Sequence, residues 1–239
     1  MLSYGAVVLP VDGTYDDAFE LCRAACEKFS WYNRNTALNP FTIEGKKTAA
    51  LEIAAALAPE RPDAVLVPAG DGVILAGVAK GFADLVRGGL VEGVPRLIAV
   101  QPAGSPAIVN ALRAGADTVD PAPNAASVAD SLTVQVPRNA LQCLRSIRAS
   151  GGGGVTVSDE AILNAVVELA RLSGVFAEPA GAAALAGLQA ALHERLVNRE
   201  ERVVLLVTGT GLKDVAAVSR AVRRPAPIPP TLEAVAKCL

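Results

Sequence analysis

The sequence has few of the residues on which metal and acid–base sites usually depend. Its 239 residues include one histidine, His193, and four cysteines, of which only Cys22 and Cys26 lie close together. A thiolate or imidazole metal site needs three or four such ligands, so the cysteines are interpreted as small, mostly buried side chains and no metal is expected. His193 is followed by Glu194 and Arg195, which predicts a helix surface rather than a catalytic position.

The sequence also lacks an excess of charge of one sign and any long apolar run. The 22 basic and 24 acidic residues are spread evenly and leave a net charge of −2, so no nucleic-acid partner is expected. Apolar runs such as Val203–Val207 are too short to span a bilayer, so no membrane partner is expected. The amino terminus does not have the basic-then-apolar pattern of a secretion signal, which favours a cytoplasmic location.

Apolar residues, 51% of the chain, fall in short runs that alternate with helical patterns. The runs predict strands at Ala6–Val11, Ala64–Val67, Leu97–Gln101, Val155–Val157 and Val203–Val207. The helical patterns cover Tyr15–Phe29, Lys47–Leu57, Ile74–Arg87, Pro106–Ala114, Arg138–Ser150, a segment that begins after Ser158, and Pro179–Leu196. Apolar strands alternating with helices are typical of a mostly parallel sheet covered on both faces, so a three-layer α/β fold is expected.

A glycine-rich loop follows the predicted strand Ala64–Val67, and it contains Gly70, Asp71, Gly72, Val73 and Ile74. Glycines at a strand-to-helix junction let the backbone approach an anion, and the next helix offers free N–H groups. The dinucleotide fingerprint fails at Leu75, and the Walker loop fails because Val78 stands where lysine is required. The loop therefore fits one small dianion, such as the phosphate of pyridoxal phosphate (PLP), better than ATP. A tight turn that binds nothing is the alternative.

A second loop, Thr208–Asp214, follows the predicted strand Val203–Val207. Thr208 ends that strand and glycines follow it. A hydroxyl at this point can hydrogen-bond an unprotonated ring nitrogen, although the pattern by itself is not specific.

Four segments taken together resemble the threonine synthases. They are Asn39–Thr48, with the Asn-Pro, Glu-Gly and Lys-Thr pairs of that family, Pro68–Phe82, Glu178–Ala183 and Thr208–Asp214. They occur in the family's order. Since threonine synthases are fold-type II PLP enzymes, the resemblance implies that fold, PLP as cofactor, and conversion of O-phosphohomoserine and water to threonine and phosphate.

The resemblance also implies roles for individual residues. The backbone N–H groups of Gly70, Asp71, Gly72, Val73 and Ile74 are expected to hold the cofactor phosphate. Thr208 is expected to face the pyridine nitrogen, and Glu44 and Gly45 to lie near the ring or the substrate. Glu178 is interpreted as a first-turn helix carboxylate, and Lys213 as a solvated loop residue.

No catalytic residue is assigned. In the family, the lysine that forms the Schiff base lies in an amino-terminal Ser-Phe-Lys-Asp-Arg-like motif, and none of the six lysines here has those neighbours. Lys46 and Lys47 are therefore not assigned this role. We expect an amino-terminally truncated enzyme that needs a further segment for activity.

The resemblance divides the chain into residues 1–38, the remainder of a small domain, residues 39–224, the large PLP-binding domain, and a proline-rich tail, residues 225–239. The prolines of Pro225–Pro230 cannot continue a helix, so this part of the tail is expected to be extended and mobile. The expected partners are a phosphorylated amino acid and a second protein chain, through homodimerisation or exposed sheet edges. Three alternatives stay open. They are a non-catalytic remnant that binds PLP or phosphate, a structural partner that pairs its open sheet edge, and another fold-type II activity such as serine or threonine dehydration.

Overall fold

A parallel four-stranded sheet organises the chain in the computed structural model, which describes residues 1–223 and 225–238. The strands are β1 (Ala64–Pro68), β2 (Arg96–Pro102), β3 (Gly153–Val157) and β4 (Val203–Leu205), in the spatial order β3-β2-β1-β4. Every pairing is parallel, with Leu66 of β1 beside Ile98 and Leu205. The carboxyl ends of all four strands therefore meet at one edge of the sheet.

Ten α-helices accompany the sheet in the described residues. They are α1 (Tyr15–Phe29), α2 (Pro40–Lys46), α3 (Thr48–Leu57), α4 (Val73–Arg87), α5 (Ala107–Arg113), α6 (Ala140–Ala149), α7 (Asp159–Ser173), α8 (Pro179–His193), α9 (Val215–Ser219) and α10 (Leu232–Ala236). None of the described helices combines the length and the apolar character that crossing a membrane would require.

Two apolar cores lie on opposite faces of the sheet, which gives the expected three layers. Along β1, Ala64 and Leu66 contribute to the core shared with α7 and α8, whereas Val65 and Val67 contribute to the core shared with α3, α4 and α6. Successive side chains of a strand point to opposite faces, so a strand covered on both faces needs apolar residues throughout. This explains why the five residues of β1 are all buried.

The strand predicted at Ala6–Val11 is wrong. These residues are neither strand nor helix, and their side chains are largely exposed, with Val7 at 88% and Leu9 at 70%. A strand is stabilised by pairing with a neighbour, and within residues 1–223 and 225–238 no strand lies beside this segment. An apolar pattern of this kind is therefore not sufficient for a strand. The four other predicted strands are confirmed, although β4 ends at Leu205 rather than at Val207.

Three helices were not predicted, namely α2, α9 and α10. Helix α2 begins at Pro40, directly after Asn39, whose side chain accepts a hydrogen bond from the Phe41 N–H group. In the tail, residues 225–230 form neither helix nor strand, and α10 begins after these prolines because the Thr231 side chain accepts a hydrogen bond from the Ala234 N–H group. Positions 224 and 239, which bound the predicted large domain and tail, lie outside the described residues.

Candidate anion-binding site at the carboxyl edge of the sheet

The loop between β1 and α4 presents backbone N–H groups to an adjacent cavity. Gly72 precedes α4 with a left-handed backbone (φ +83°), and no side chain caps the start of that helix. Among the described residues, the N–H groups of residues 70–74 find no acceptor in the protein. A helix amino terminus with free N–H groups and a positive dipole end favours a bound anion.

Glycine is required at position 72 for two independent reasons. The positive φ angle strains any residue with a Cβ atom. In addition, a Cβ at this position would lie 2.6 Å from Cβ of Cys143 on α6. The loop can therefore approach α6 and turn into α4 only without a side chain at this point.

The cavity beside the loop has a volume of about 590 Å³, within the range of small-molecule sites. Residues 70–74 form one wall, and residues 13–16 and 130–135 form others, together with Thr36 and Lys46. The cavity is therefore enclosed by segments far apart in the sequence, and it lies at the sheet edge where open α/β folds bind ligands.

Asp71, the acidic residue of the loop, is held by residues outside the loop. The Tyr15 hydroxyl donates a hydrogen bond of 2.9 Å to Asp71 Oδ2, and the Arg138 backbone N–H donates one of 3.1 Å to Oδ1. The Arg138 guanidinium pairs with Asp16 and lies 3.9 Å from the centre of the Phe19 ring. Burial, followed by the negative charge of Asp71, raises the pKa of Tyr15, so this hydroxyl stays a donor at neutral pH. These contacts join the loop to α1.

The second predicted loop runs beside the first. The Leu206 N–H group donates to the Leu66 carbonyl oxygen at 3.0 Å, which extends the pairing of β4 with β1. Gly209 accepts a hydrogen bond from the Glu178 N–H group at 3.0 Å, and a Cβ at position 209 would lie 2.2 Å from Glu178 Oε1. Gly209 thereby allows the start of α8 to pack closely on this loop.

Glu178 differs from its interpretation as a first-turn carboxylate. It is the residue immediately before α8, its side chain does not cap that helix, and it is only 4% exposed. Its carboxylate lies 3.3 Å from Lys213 Nζ, which also contacts the Ser131 hydroxyl at 3.3 Å. Lys213 is therefore an ion-pair partner of Glu178 rather than only a solvated loop residue.

The structure brings together some of the predicted site residues and separates others. Gly70–Ile74 line the cavity as one group, whereas Thr208 is exposed and is not part of that lining. Glu44 lies in ion pairs with Lys47 (2.8 Å) and Lys80 (3.0 Å), and neither Glu44 nor Gly45 lines the cavity. Their positions beside the cofactor ring stay predictions.

Sequence reasoning missed Lys46, which lines the cavity. A signal existed: Glu44 and Lys47 are three residues apart, the spacing of an ion pair on one helix face, which leaves Lys46 on another face. No comparable signal marked residues 130–135, because they reach the cavity only through the tertiary fold.

Comparison with known proteins identifies relatives of this chain. The chain is 38% identical over 222 residues to threonine synthase of Methanocaldococcus jannaschii, covering 93% of this chain and 55% of that enzyme. It is 36% identical over 238 residues to threonine synthase of Methanosarcina acetivorans, covering 100% and 58%. The chain thus spans somewhat more than half the length of these curated relatives.

Solved structures share the fold. Threonine deaminase isoform 2 from Solanum lycopersicum superposes with a TM-score of 0.76 at 23% identity, covering 92% of this chain and 60% of that one. Serine racemase from maize superposes with a TM-score of 0.70 at 21% identity, covering 92% and 64%. The family model of the pyridoxal-phosphate dependent enzymes matches residues 1–209. The parallel sheet, the glycine loop at its carboxyl edge and this match show that the chain belongs to the family of pyridoxal-phosphate dependent enzymes.

Proposed function

We propose that this chain provides the cofactor-phosphate site of a threonine synthase, which converts O-phosphohomoserine and water to threonine and phosphate. The observation that carries the proposal is the row of free N–H groups at residues 70–74, before α4, in a chain similar to threonine synthases along its whole length. These donors fit a phosphate dianion, and the glycine at position 72 lets the loop that carries them pack against α6.

In this proposal, Gly70, Asp71, Gly72, Val73 and Ile74 bind the phosphate of PLP. Thr208 faces the pyridine nitrogen, and Glu44 and Gly45 lie near the ring or the substrate. Residues 39–224 form the cofactor-binding domain, and residues 1–38 belong to a smaller domain. When bound, PLP supplies an electron sink for chemistry at the substrate carbons. The residues named here bind and orient it, and no residue of this chain is assigned proton transfer.

Calorimetric titration with PLP tests the phosphate site. We expect saturable binding of PLP and at least tenfold weaker binding of pyridoxal, which lacks the phosphate, because the loop donors then have no anion to bind. Equal affinities for the two compounds would overturn the assignment of the loop.

Phosphate release from O-phosphohomoserine tests the reaction. The chain is mixed or co-expressed with the segment of the Methanocaldococcus jannaschii enzyme that precedes its region of similarity. Phosphate release that depends on both polypeptides is expected. If the mixture binds PLP but converts serine or threonine to an oxo acid and ammonia instead, the chain belongs to a dehydratase.

We further propose a cytoplasmic location and association with a second polypeptide. The outer edge of β4 has no partner strand among the described residues, and its side chains are only partly buried. Exposed apolar side chains are numerous before α2, among them Met1, Leu2, Tyr4, Val7 and Trp31. Open sheet edges and apolar patches of this kind favour association. Sedimentation of the chain as a monomer at micromolar concentrations would contradict the proposed association.

A further inference from the structure

A second cavity lies at the amino edge of the sheet, opposite the glycine loop. It has a volume of about 530 Å³, and Arg96, the first residue of β2, lines it. The end of α8 and the loop after it, as far as Glu201, form the rest of the lining. Strand β2 runs from Arg96 to Pro102, so the two edges of the sheet are about 20 Å apart at a rise of about 3.3 Å per residue. The cavity is therefore separate from the site proposed for the cofactor.

The acidic residue of this lining, Glu201, already has its partners. Arg96 Nη2 lies 2.5 Å from Glu201 Oε2, and the Asn198 side-chain amide and backbone N–H donate to the same carboxylate at 2.9 and 3.2 Å. Glu194 and Glu200, the other acids of this segment, do not line the cavity. Among the residues that the structure describes, the lining therefore has no carboxylate left to neutralise a further cation.

Two arginines of the lining have no such partner. Arg195 and Arg199 form no ion pair among residues 1–223 and 225–238. Glu194, which precedes Arg195 in the chain, is paired with Arg113 at 2.9 Å. A guanidinium group carries planar forks of N–H donors that match the oxygens of a phosphate, and hydrogen bonds between charged groups are stronger than neutral ones. The cavity thus offers two guanidinium groups without a counter-charge.

Arg195 also occupies a backbone position that favours glycine. Helix α8 ends in a Schellman motif, in which the Leu196 N–H group donates to the Ala191 carbonyl oxygen at 2.8 Å and the Arg195 N–H group to the Leu192 carbonyl oxygen at 3.2 Å. Arg195 has a φ of +58°, a left-handed conformation that strains a residue with a Cβ atom. Strain of this kind clusters at functional sites, where the side chain compensates for its cost.

The carboxyl end of α8 attracts cations, but this effect does not account for both arginines. The favourable field of a helix end falls off within the last turn. Arg199 lies six residues after His193, the last residue of α8. A cation that served only the helix end could stand inside the last turn without backbone strain, whereas Arg195 lies beyond that turn and is strained.

We propose that Arg195 and Arg199 form a binding site for the phosphate group of a small molecule at the amino edge of the sheet. The site is independent of the proposed function, because the glycine loop lies at the opposite edge. The volume of about 530 Å³ has room for a phosphate ester as well as for free phosphate. Both ligands present the same group to the two guanidinium groups, and they are separated by experiment.

The test uses His193, which is the one histidine of the chain and lines this cavity. Inorganic phosphate is titrated onto the full chain at fixed pH and ionic strength, and the ring protons of His193 are followed by NMR. We expect a saturable shift of these resonances that sodium chloride does not produce. Arg195→Gly and Arg199→Gln should each weaken phosphate binding about tenfold. Arg195→Gly should also raise the urea midpoint, because glycine adopts the left-handed conformation without strain.

Two variants provide matched controls. Ser30 also ends a helix with a left-handed backbone (φ +57°) and does not line the cavity, so Ser30→Gly relieves similar strain elsewhere. Arg145→Gln removes the charge of an exposed arginine on α6 that lies outside the lining. Both variants should bind phosphate as the unmodified chain does.

Three results would overturn the proposal. The first is a His193 shift that does not saturate or that sodium chloride reproduces. The second is equal binding by Arg199→Gln and Arg145→Gln, which would reduce Arg199 to general charge. The third is unchanged binding by Arg195→Gly, which would leave Arg195 with a role at the helix end alone. Where the site is confirmed, tighter binding of glycerol phosphate than of inorganic phosphate identifies an ester as the ligand, and the reverse order identifies free phosphate.

Discussion

Gly72 is the single residue on which the loop between β1 and α4 depends most. Its φ of +83° and its contact with α6 restrict the position to glycine for separate reasons. In Gly72→Ala, the left-handed backbone costs about 1–2 kcal/mol. The clash with Cys143 adds about 1–3 kcal/mol. Urea denaturation, monitored by circular dichroism, measures the total loss in the free energy of unfolding.

Gly89→Ala is the matched control for this substitution. Gly89 also has a positive φ of 70°, but a Cβ there would meet nothing within 4 Å. The free energy of unfolding of Gly89→Ala should therefore fall only by the backbone contribution, about 1–2 kcal/mol. Equal losses in the two variants would show that α6 moves away from the loop without cost.

At the same scale, the position of the glycine loop could be predicted from the sequence, whereas the orientation of the Lys46 side chain could not. Gly70 and Gly72 follow an apolar strand and precede a helical pattern, so local chemistry alone locates the loop. Whether Lys46 or Lys47 faces the cavity depends on which lysine the acids on α2 and α4 attract. Asp84 lies 37 residues from Lys47, and sequence patterns do not show that they meet.

At the scale of elements, α1 is joined to the anion-binding loop through Tyr15 and Asp71. We expect Tyr15→Phe to lose a hydrogen bond worth about 1 kcal/mol, because the Asp71 carboxylate then keeps only its contact with Arg138. The amides of α1 should exchange hydrogen about five times faster, as measured by mass spectrometry.

Tyr4→Phe provides the comparison for Tyr15→Phe. Tyr4 is 94% exposed, so the same chemical change there should leave exchange in α1 as it is in the unmodified chain. If α1 exchanges equally in both variants, the ion pair of Asp16 with Arg138 is sufficient to hold it.

The elements also show where pattern reasoning succeeds. The strands β1 and β2 were predicted because burial on both faces of the sheet requires a continuous apolar run. The helix α4 was predicted because burial on one face gives an apolar repeat at helical spacing. The segment Ala6–Val11 has an equally apolar pattern, yet it forms no strand. Strand formation depends on a neighbour, and the sequence of a single segment carries no information about its neighbour. Helix α2 was missed for the opposite reason, since its signal lies in the cap Asn39 and the proline after it rather than in periodicity.

For the molecule as a whole, acid should weaken the fold partly through Asp84. Hydrogen bonds from Lys80 and then Lys47 lower the pKa of Asp84 from its ordinary 3.8 to about 2. A carboxyl group with a lowered pKa in the folded state stabilises the protein above its ordinary pKa. That contribution disappears as the pH falls from about 3.8 towards 2. Urea midpoints of Asp84→Asn should therefore lie below those of the unmodified chain at pH 5–7, and the two should converge as the pH approaches about 2.

Asp117→Asn is the control for the pH series. Asp117 also forms an ion pair, with Arg148 at 2.8 Å, but its side chain is 92% exposed. Pairs of this kind contribute little to stability, so its urea midpoints should follow those of the unmodified chain throughout. A difference between Asp84→Asn and the unmodified chain that persisted undiminished at about pH 2 would place the effect in packing rather than in charge.

The contact between Gly72 and α6 makes the alkylation rate of the Cys143 thiol a measure of how often the loop and α6 separate. The thiol of Cys143 is fully buried against the loop, and burial raises its pKa to about 12. Cys22 and Cys238 lie at the surface. An alkylating reagent therefore modifies those two thiols at once, and it reaches Cys143 only after α6 separates from the loop. Because Cys26 is also partly buried, alkylation is followed on the peptide that contains Cys143. Its rate reports how often α6 separates from the anion-binding loop, and any ligand that holds the loop together lowers that rate.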